Sequence, residues 1–271
     1  MRSAARAGRL PKKGVSGSMH ATHREMEILD ALRRSGSCRI HELARRLDVS
    51  EETIRRNVRK LADNGLVRKV HGGVYLPDTV QELTFHQRMD ENPDAKRRVA
   101  DAVAGIIRDG DSLFLDIGST TAYVAQALRN HRDLLVVTNS VAVAHTLATR
   151  NDNRVFMAGG ELRSHDAGAF GREALAFVRQ FSVQYAVLSA AAIDATTGFM
   201  LFDLQEAEFS REIMARADKT LVAADATKFG RRAPIRLAGP EAIHLLVTDA
   251  APPPEIAETL AAASVELVIA G

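Results

Sequence analysis

The sequence predicts an N-terminal winged helix-turn-helix followed by a larger C-terminal α/β domain with a mostly parallel sheet. Three observations carry that reading. Residues 21–63 hold three short apolar-periodic stretches, closed by the hairpin-like run Leu66-Val-Arg-Lys-Val-His-Gly-Gly-Val-Tyr75. From residue 95 onward, helical stretches alternate with short continuous apolar runs, as strands buried on both faces require. Charge also divides along the chain: residues 1–76 carry 17 Lys+Arg against 8 Asp+Glu, and the remainder 19 against 26. A basic module joined to an acidic body suits a polyanion reader attached to something else.

Residues 1–19 hold Arg2, Arg6, Arg9, Lys12 and Lys13 and no acid. They read as a disordered basic tail, with a transit peptide as the alternative and Met19 as a second possible start. The DNA-binding module then spans residues 20–76. Its first helix, 21–34, has apolar residues at Met26, Ile28, Leu29 and Leu32 and stops at Ser35-Gly36. The second, 40–47, buries Leu43, Ala44 and Leu47, and Asp48-Val49-Ser50 turns the chain into the third.

That third helix is the most informative segment. Ser50 is a good N-cap, because its hydroxyl can accept from an unpaired N–H of the first turn. Glu51 and Glu52 follow where the helix dipole favours acids. Ile54, Val58 and Leu61 fall at i, i+4 and i+7 and face inward. Thr53, Arg55, Arg56, Asn57, Arg59 and Lys60 are left for the other faces. With its N-terminal turn in the major groove, Glu52, Thr53, Arg56 and Asn57 are the expected base readers. Arg55, Arg59, Lys60, Arg68, Lys69 and His71 are the expected phosphate partners. Charge runs usually do no more than solvate a helix, but the basic hairpin beside this one favours DNA. Asn64-Gly65 supplies a left-handed C-terminal cap, and Gly72-Gly73 sits in the hairpin.

Residues 77–94 are polar with scattered apolar positions and read as a linker, partly helical. The domain at 95–271 follows. Helices are expected at 95–108, 119–129, 141–150, 172–179, 206–217 and 255–263. Strands are expected at 112–115, 134–137, 154–157, 186–189, 220–223, 245–248 and 265–269.

The turns after its strands look built for an anion. Asp116-Ile-Gly-Ser-Thr-Thr121 leaves a strand and opens a helix; Gly118 permits close backbone approach, and Ser119, Thr120 and Thr121 add hydroxyls to the free N–H groups. Thr138, Asn139 and Ser140 repeat the pattern after the next strand, and Gly159 and Gly160 follow a third. Lys228 can neutralise a phosphate as a point charge. Asp116, Asn139 and Glu206 can hydrogen-bond hydroxyls, with Arg163 and Arg172 as further phosphate partners. Each has a bland alternative: a lone Gly-Ser-Thr-Thr is usually an N-cap, and Glu206 can be a first-turn acid. The single cysteine, Cys38, excludes an internal disulfide and a multi-cysteine zinc site, which fits a reducing cytoplasm. His131, His145 and His244 lack metal-ligand spacing and read as structural. No apolar run approaches a membrane span.

The ordered strings Thr53-Ile-Arg-Arg56, His71-Gly-Gly73, Asp116-Ile-Gly-Ser-Thr-Thr121, Thr138-Asn-Ser140, Ala158-Gly-Gly160 and Lys228-Phe-Gly230 resemble those of DeoR-type bacterial transcription regulators. The likeness covers residues 23–270. It implies a cytoplasmic repressor acting as a homodimer or homotetramer on double-stranded operator DNA. It also implies a ribose-5-phosphate-isomerase-like sensor domain that answers to a phosphorylated metabolite without a cofactor or metal. Further strings, among them Leu201-Phe-Asp203 before Glu206 and Thr248-Asp-Ala-Ala-Pro-Pro-Pro254, are similar to those of family members that govern glycerol catabolism. Glycerol 3-phosphate is therefore the expected effector. Two positions depart from the family pattern: Asn57 replaces an acid after the Arg-Arg pair, and Arg39 stands where a Ser or Thr cap is common. The alternatives are a regulator of a different sugar phosphate, an activator, and a sugar-phosphate isomerase or hydrolase with an appended DNA-binding domain, using Lys228, Asp116 and Glu206 as acid–base groups.

Overall fold

The computed structural model describes residues 23–35, 37–64, 66–70, 73–75 and 85–271. The expected basic tail at 1–19, the cap residue Gly65, the hairpin residues His71 and Gly72, and linker residues 77–84 lie outside these.

Three helices and a small sheet make the N-terminal module: α1 (His23–Ser35), β1 (Ser37–Arg39), α2 (Ile40–Arg46), α3 (Glu51–Asp63), β2 (Arg68–Val70) and β3 (Gly73–Tyr75). The inward faces meet as expected, with Ile28, Leu32, Leu43, Ile54, Val58 and Leu61 in one buried cluster. Each such side chain contributes roughly 1.5–3 kcal/mol on burial. Strand β3 pairs antiparallel with both β2 and β1. The hairpin is thus a three-stranded sheet, and β1 is an element the sequence did not announce. Ser50 caps α3, its Oγ accepting from Thr53 N at 3.3 Å. Asn64, at the other end, has φ −87°, so it is not itself the left-handed residue.

The chain resumes at α4 (Phe85–Asp90) and α5 (Pro93–Ile106). Though it falls in the expected linker, α4 is tied to the C-terminal domain: Tyr123 Oη donates to Met89 O at 3.0 Å, and buried Lys96 Nζ donates to Arg88 O and, at 2.7 Å, to Glu91 O. After α5 come β4 (Ser112–Leu115), α6 (Ser119–Ala127), β5 (Leu135–Thr138), α7 (Val141–Leu147), β6 (Arg154–Met157), α8 (Arg172–Val178) and β7 (Val183–Ser189). Then follow β8 (Ala192–Asp194), β9 (Gly198–Leu201), α9 (Leu204–Met214), β10 (Ala217–Ala223), β11 (Ile235–Ala238), β12 (Leu245–Thr248), α10 (Pro254–Ala262) and β13 (Glu266–Ile269).

Seven strands form one sheet in the order β13-β12-β10-β7-β4-β5-β6, with every neighbouring pair parallel. Its central strands bury continuous apolar runs: Leu113, Phe114, Leu115, Val187, Leu188, Leu221 and Val222 are buried. One face packs α8, α9 and α10 through Val178, Phe209 and Leu260; the other packs α5, α6 and α7 through Val99, Val124 and Leu147. A second, antiparallel sheet, β11-β9-β8, was not expected from the sequence. From β4 the chain winds one way to β5 and β6, then returns to β7 on β4's other side. The order therefore reverses between β4 and β7, and ligands of open α/β sheets bind at the strand carboxyl ends beside such a reversal.

Candidate functional site

A cavity of about 620 Å³ opens at that reversal. Ser119 and Thr120 line it from the start of α6, and Ser189, Ala190 and Ala191 from the end of β7. Leu201, Phe202 and Glu206 close it from the β9–α9 side. Lys228, Gly230, Arg231 and Arg232 come from the loop after β10, and Arg88 and Glu91 from α4 and the turn behind it. Four cations thus meet two carboxylates around one concavity.

Local chemistry fixes each wall. Gly118 has φ 158°, and a Cβ there would collide with the Ser189 side chain, so only glycine lets β4's turn sit against the end of β7. The turn leads into α6, a nine-residue helix whose first residues, Ser119 and Thr120, are buried against the cavity. On the opposite side, Asp225 accepts from Thr227 N at 3.1 Å, while Ala226 N donates to Asp249 Oδ1 at 2.7 Å. Those bonds wind residues 226–228 into a short 3₁₀ turn that delivers Lys228, itself 9% exposed.

Behind the cavity lies a polar layer. Asp116 is buried, with Oδ1 accepting from Ile117 N at 2.8 Å and Oδ2 from Ser210 Oγ at 2.5 Å. Burial pushes its carboxyl up to about 7, against the pull of those two hydrogen bonds. Glu206 is also pushed up by burial, more than the Arg163 charge draws it down. Arg163 pairs with Asp166 and Glu206, lies 3.2 Å from Asp203, and stacks over Phe170 at 4.3 Å. Its guanidinium is thereby committed to holding carboxylates, Glu206 among them.

A pH effect follows from Asp116. Its folded value lies above the usual 3.8, so the folded chain binds this proton more readily than the unfolded one. The resulting stability is present below about pH 4 and is lost as pH rises through about 7. Asp116→Asn should flatten that part of a plot of denaturant midpoint against pH. A slope equal to that of the parent protein would mean the carboxylate is ionised throughout.

Of the expected effector residues, Ser119, Thr120, Glu206 and Lys228 line the cavity. The others stand elsewhere. Thr121 donates to Gly118 O, Thr138 donates to Leu115 O, and Ser140 caps α7. Asn139 is fully buried. Gly159 and Gly160 are exposed at the end of β6, three strands from β7, and Arg172 is an exposed partner of Glu173. Arg88, Glu91, Arg231 and Arg232 were not foreseen as wall residues. His131 and His244 are structural as expected: His131 Nε2 lies within 3.1 Å of the Ala104 and Ile107 carbonyls, and His244 Nδ1 accepts from Thr220 N.

On α3, Glu52, Arg55, Arg56, Arg59 and Lys60 are exposed, as is Lys69 on the hairpin, and Thr53 is half-buried. Asn57 is not on that face. It is 8% exposed, and its Nδ2 donates to Thr53 O at 2.8 Å, so the expected base reader serves its own helix here. Arg55 pairs with Glu51 at 2.6 Å, an exposed i,i+4 contact that is weak enough to exchange for a phosphate. The Arg68 side chain lies outside the description. At Arg39, the other departure, the N–H donates to Glu42 Oε2 at 3.2 Å, the arm of a capping box that does not need a hydroxyl at the cap. The Arg39 guanidinium pairs with Glu208 of α9. Between the two modules, at that contact, lies a second cavity of about 730 Å³. Its central cation, Arg211, is bonded to the Leu237 and Arg236 carbonyls, which leaves it less suited to an anion.

No helix among the described residues is long and apolar enough to cross a membrane, and among them no cluster of His, Cys, Asp and Glu could hold a metal ion.

Comparison with known proteins gives concordant matches. Residues 24–80 match the DeoR-like helix-turn-helix domain and residues 91–250 the DeoR C-terminal sensor domain. The HTH-type transcriptional repressor CsqR of Escherichia coli is 37% identical over 91% of this chain and 94% of its own length. The glycerol-3-phosphate regulon repressor of the same organism is 36% identical over 89% and 96%. The HTH-type transcriptional regulator GlpR of Haloferax volcanii is 31% identical over 92% and 98%. Ribose 5-phosphate isomerase A from Neisseria gonorrhoeae overlaps 51% of this chain and 53% of its own at a TM-score of 0.38 and 14% identity, too slight a likeness to carry an inference.

Proposed function

The chain belongs to the DeoR family of transcriptional repressors, and from that premise we propose that it represses an operon of glycerol or related carbohydrate catabolism and leaves its operator when a phosphorylated polyol, glycerol 3-phosphate, fills the cavity at the sheet reversal. It acts as a homodimer or homotetramer on double-stranded DNA. The observation that carries the effector reading is Lys228, delivered largely buried to a cavity that also receives the first turn of α6. A phosphate there meets N–H groups, two hydroxyls and a point charge. Glu206, held by Arg163, faces the same space and suits a ligand hydroxyl. Two relatives named as glycerol-3-phosphate regulon repressors, in Escherichia coli and Haemophilus influenzae, favour that effector among phosphate esters.

Occupancy reaches DNA through differential affinity for two arrangements of the modules. Helix α9 is placed to transmit it, since Glu206 faces the cavity and Glu208, two residues on, pairs with Arg39 of the DNA-binding module. The isomerase alternative has less support. Asp116 does not line the cavity, and the Glu206 carboxylate is held by Arg163.

Fluorescence anisotropy of a labelled promoter fragment, at fixed salt, tests the effector. Glycerol 3-phosphate should release the fragment at lower concentration than fructose 1-phosphate or fructose 6-phosphate. Release by one of the fructose phosphates first would keep the repressor and replace the effector.

A further inference from the structure

Glu91 lies in the turn between α4 and α5, and its side chain reaches two cations of the effector cavity at once. Its Oε2 stands 3.8 Å from Lys228 Nζ and its Oε1 3.9 Å from Arg231 Nη2. Charge-assisted N–H···O bonds close to about 2.7–2.9 Å. The carboxylate therefore lies between the cations without closing on either. Its own backbone is firmly held, because Glu91 O accepts from Lys96 Nζ at 2.7 Å. Lys96 is itself buried, and its charge is held down to about 8 by burial and by the neighbouring charge of Lys228. Lys228 and Arg231 thus share the Glu91 carboxylate while Lys96 holds its carbonyl, and Asp225 is a further negative charge acting on Lys96. Cations crowded in this way favour an anion of higher charge than one carboxylate.

We propose that Glu91 is a tethered competitor for the effector's phosphate: its carboxylate occupies the place from which a phosphate monoester dianion bridges Lys228 and Arg231, and the effector enters by displacing it. This rests on the cavity being the effector site. A dianion offers each cation an oxygen at full hydrogen-bond length, whereas the carboxylate spans the pair at 3.8 and 3.9 Å. The phosphate gains because it answers both cations together. Tethering gives the carboxylate a high effective concentration, so it sets a threshold for weaker anions. A monoester dianion passes that threshold; carboxylates and phosphodiesters, with one charge per group, do not. Glu91 directly follows α4, the first described element after the segment from the DNA-binding module, so the ligand enters beside that connection.

The test is calorimetric titration of glycerol 3-phosphate, and separately of inorganic phosphate, into the full chain and its Glu91→Gln variant. Glutamine keeps the shape and the backbone carbonyl that holds Lys96 but removes the charge. The variant should bind both probes about tenfold more tightly, and it should let a monoanionic phosphodiester, glycerophosphocholine, bind as well. Equal or weaker binding of glycerol 3-phosphate by the variant would overturn the competitor role and make Glu91 a ligand of the effector or a bystander. Failure of the unsubstituted protein to bind either probe would overturn the cavity assignment itself, and this inference with it.

Discussion

Lys228→Met should raise the effector concentration that half-releases the operator by about two orders of magnitude while leaving effector-free operator affinity unchanged. A hydrogen bond to a charged partner contributes about 1.5–3 kcal/mol, so its removal changes a binding midpoint by roughly one to two orders of magnitude. The setting places Lys228 at the upper end, because its side chain is 11% exposed and solvent screens the contact little. Folding should not suffer. Lys228 is one of the charges that hold the Lys96 ammonium down, so methionine relieves that repulsion while filling the same space. The readout is an anisotropy titration with effector against the parent protein. An unchanged midpoint would mean that Lys228 does not touch the ligand. A protein that no longer binds operator would mean that Lys228 supports the fold.

Arg56→Ala should cost about 1–3 kcal/mol of operator binding and relax the sequence preference at one base position. Arg56 is exposed on the face of α3 opposite Ile54, Val58 and Leu61, one turn on from Glu52. Arg55 differs, since Glu51 already engages it and its loss should weaken binding evenly across sequences. Competition between operator and random fragments at fixed salt separates the two. An equal loss on both fragments would assign Arg56 to the phosphate backbone.

Much of the fold was legible in the sequence because burial leaves a periodic trace. The inward stripe of α3 and the continuous apolar runs of β4, β5 and β12 could be read directly. Strand β1 left no such trace: Ser37-Cys-Arg39 offers three residues and one apolar side chain. The strands of the small β8, β9 and β11 sheet are nearly as short, and the β9–β11 pairing joins segments separated by α9 and β10. Residues that line the candidate cavity were legible where local geometry dictates them, as at Ser119, Thr120 and Lys228. They were missed where strand order decides. That order carries the turns after β5 and β6 away from the cavity and brings Arg88 and Glu91 beside the loop after β10. Periodicity cannot report such a juxtaposition across the sheet. Asn57 shows a third limit: on a wheel it borders the buried stripe, and only its bond to Thr53 O settles which way it turns.

If effector and operator compete through one protein equilibrium, thermodynamic reciprocity must hold between them. Glycerol 3-phosphate binding should be measured by calorimetry on the free protein and on the saturated operator complex. The factor by which operator weakens effector binding must equal the factor by which effector weakens operator binding. Matching factors, of about 5- to 150-fold for ordinary coupling, are the predicted result. Equal effector affinity with and without operator would mean that the two sites are not coupled.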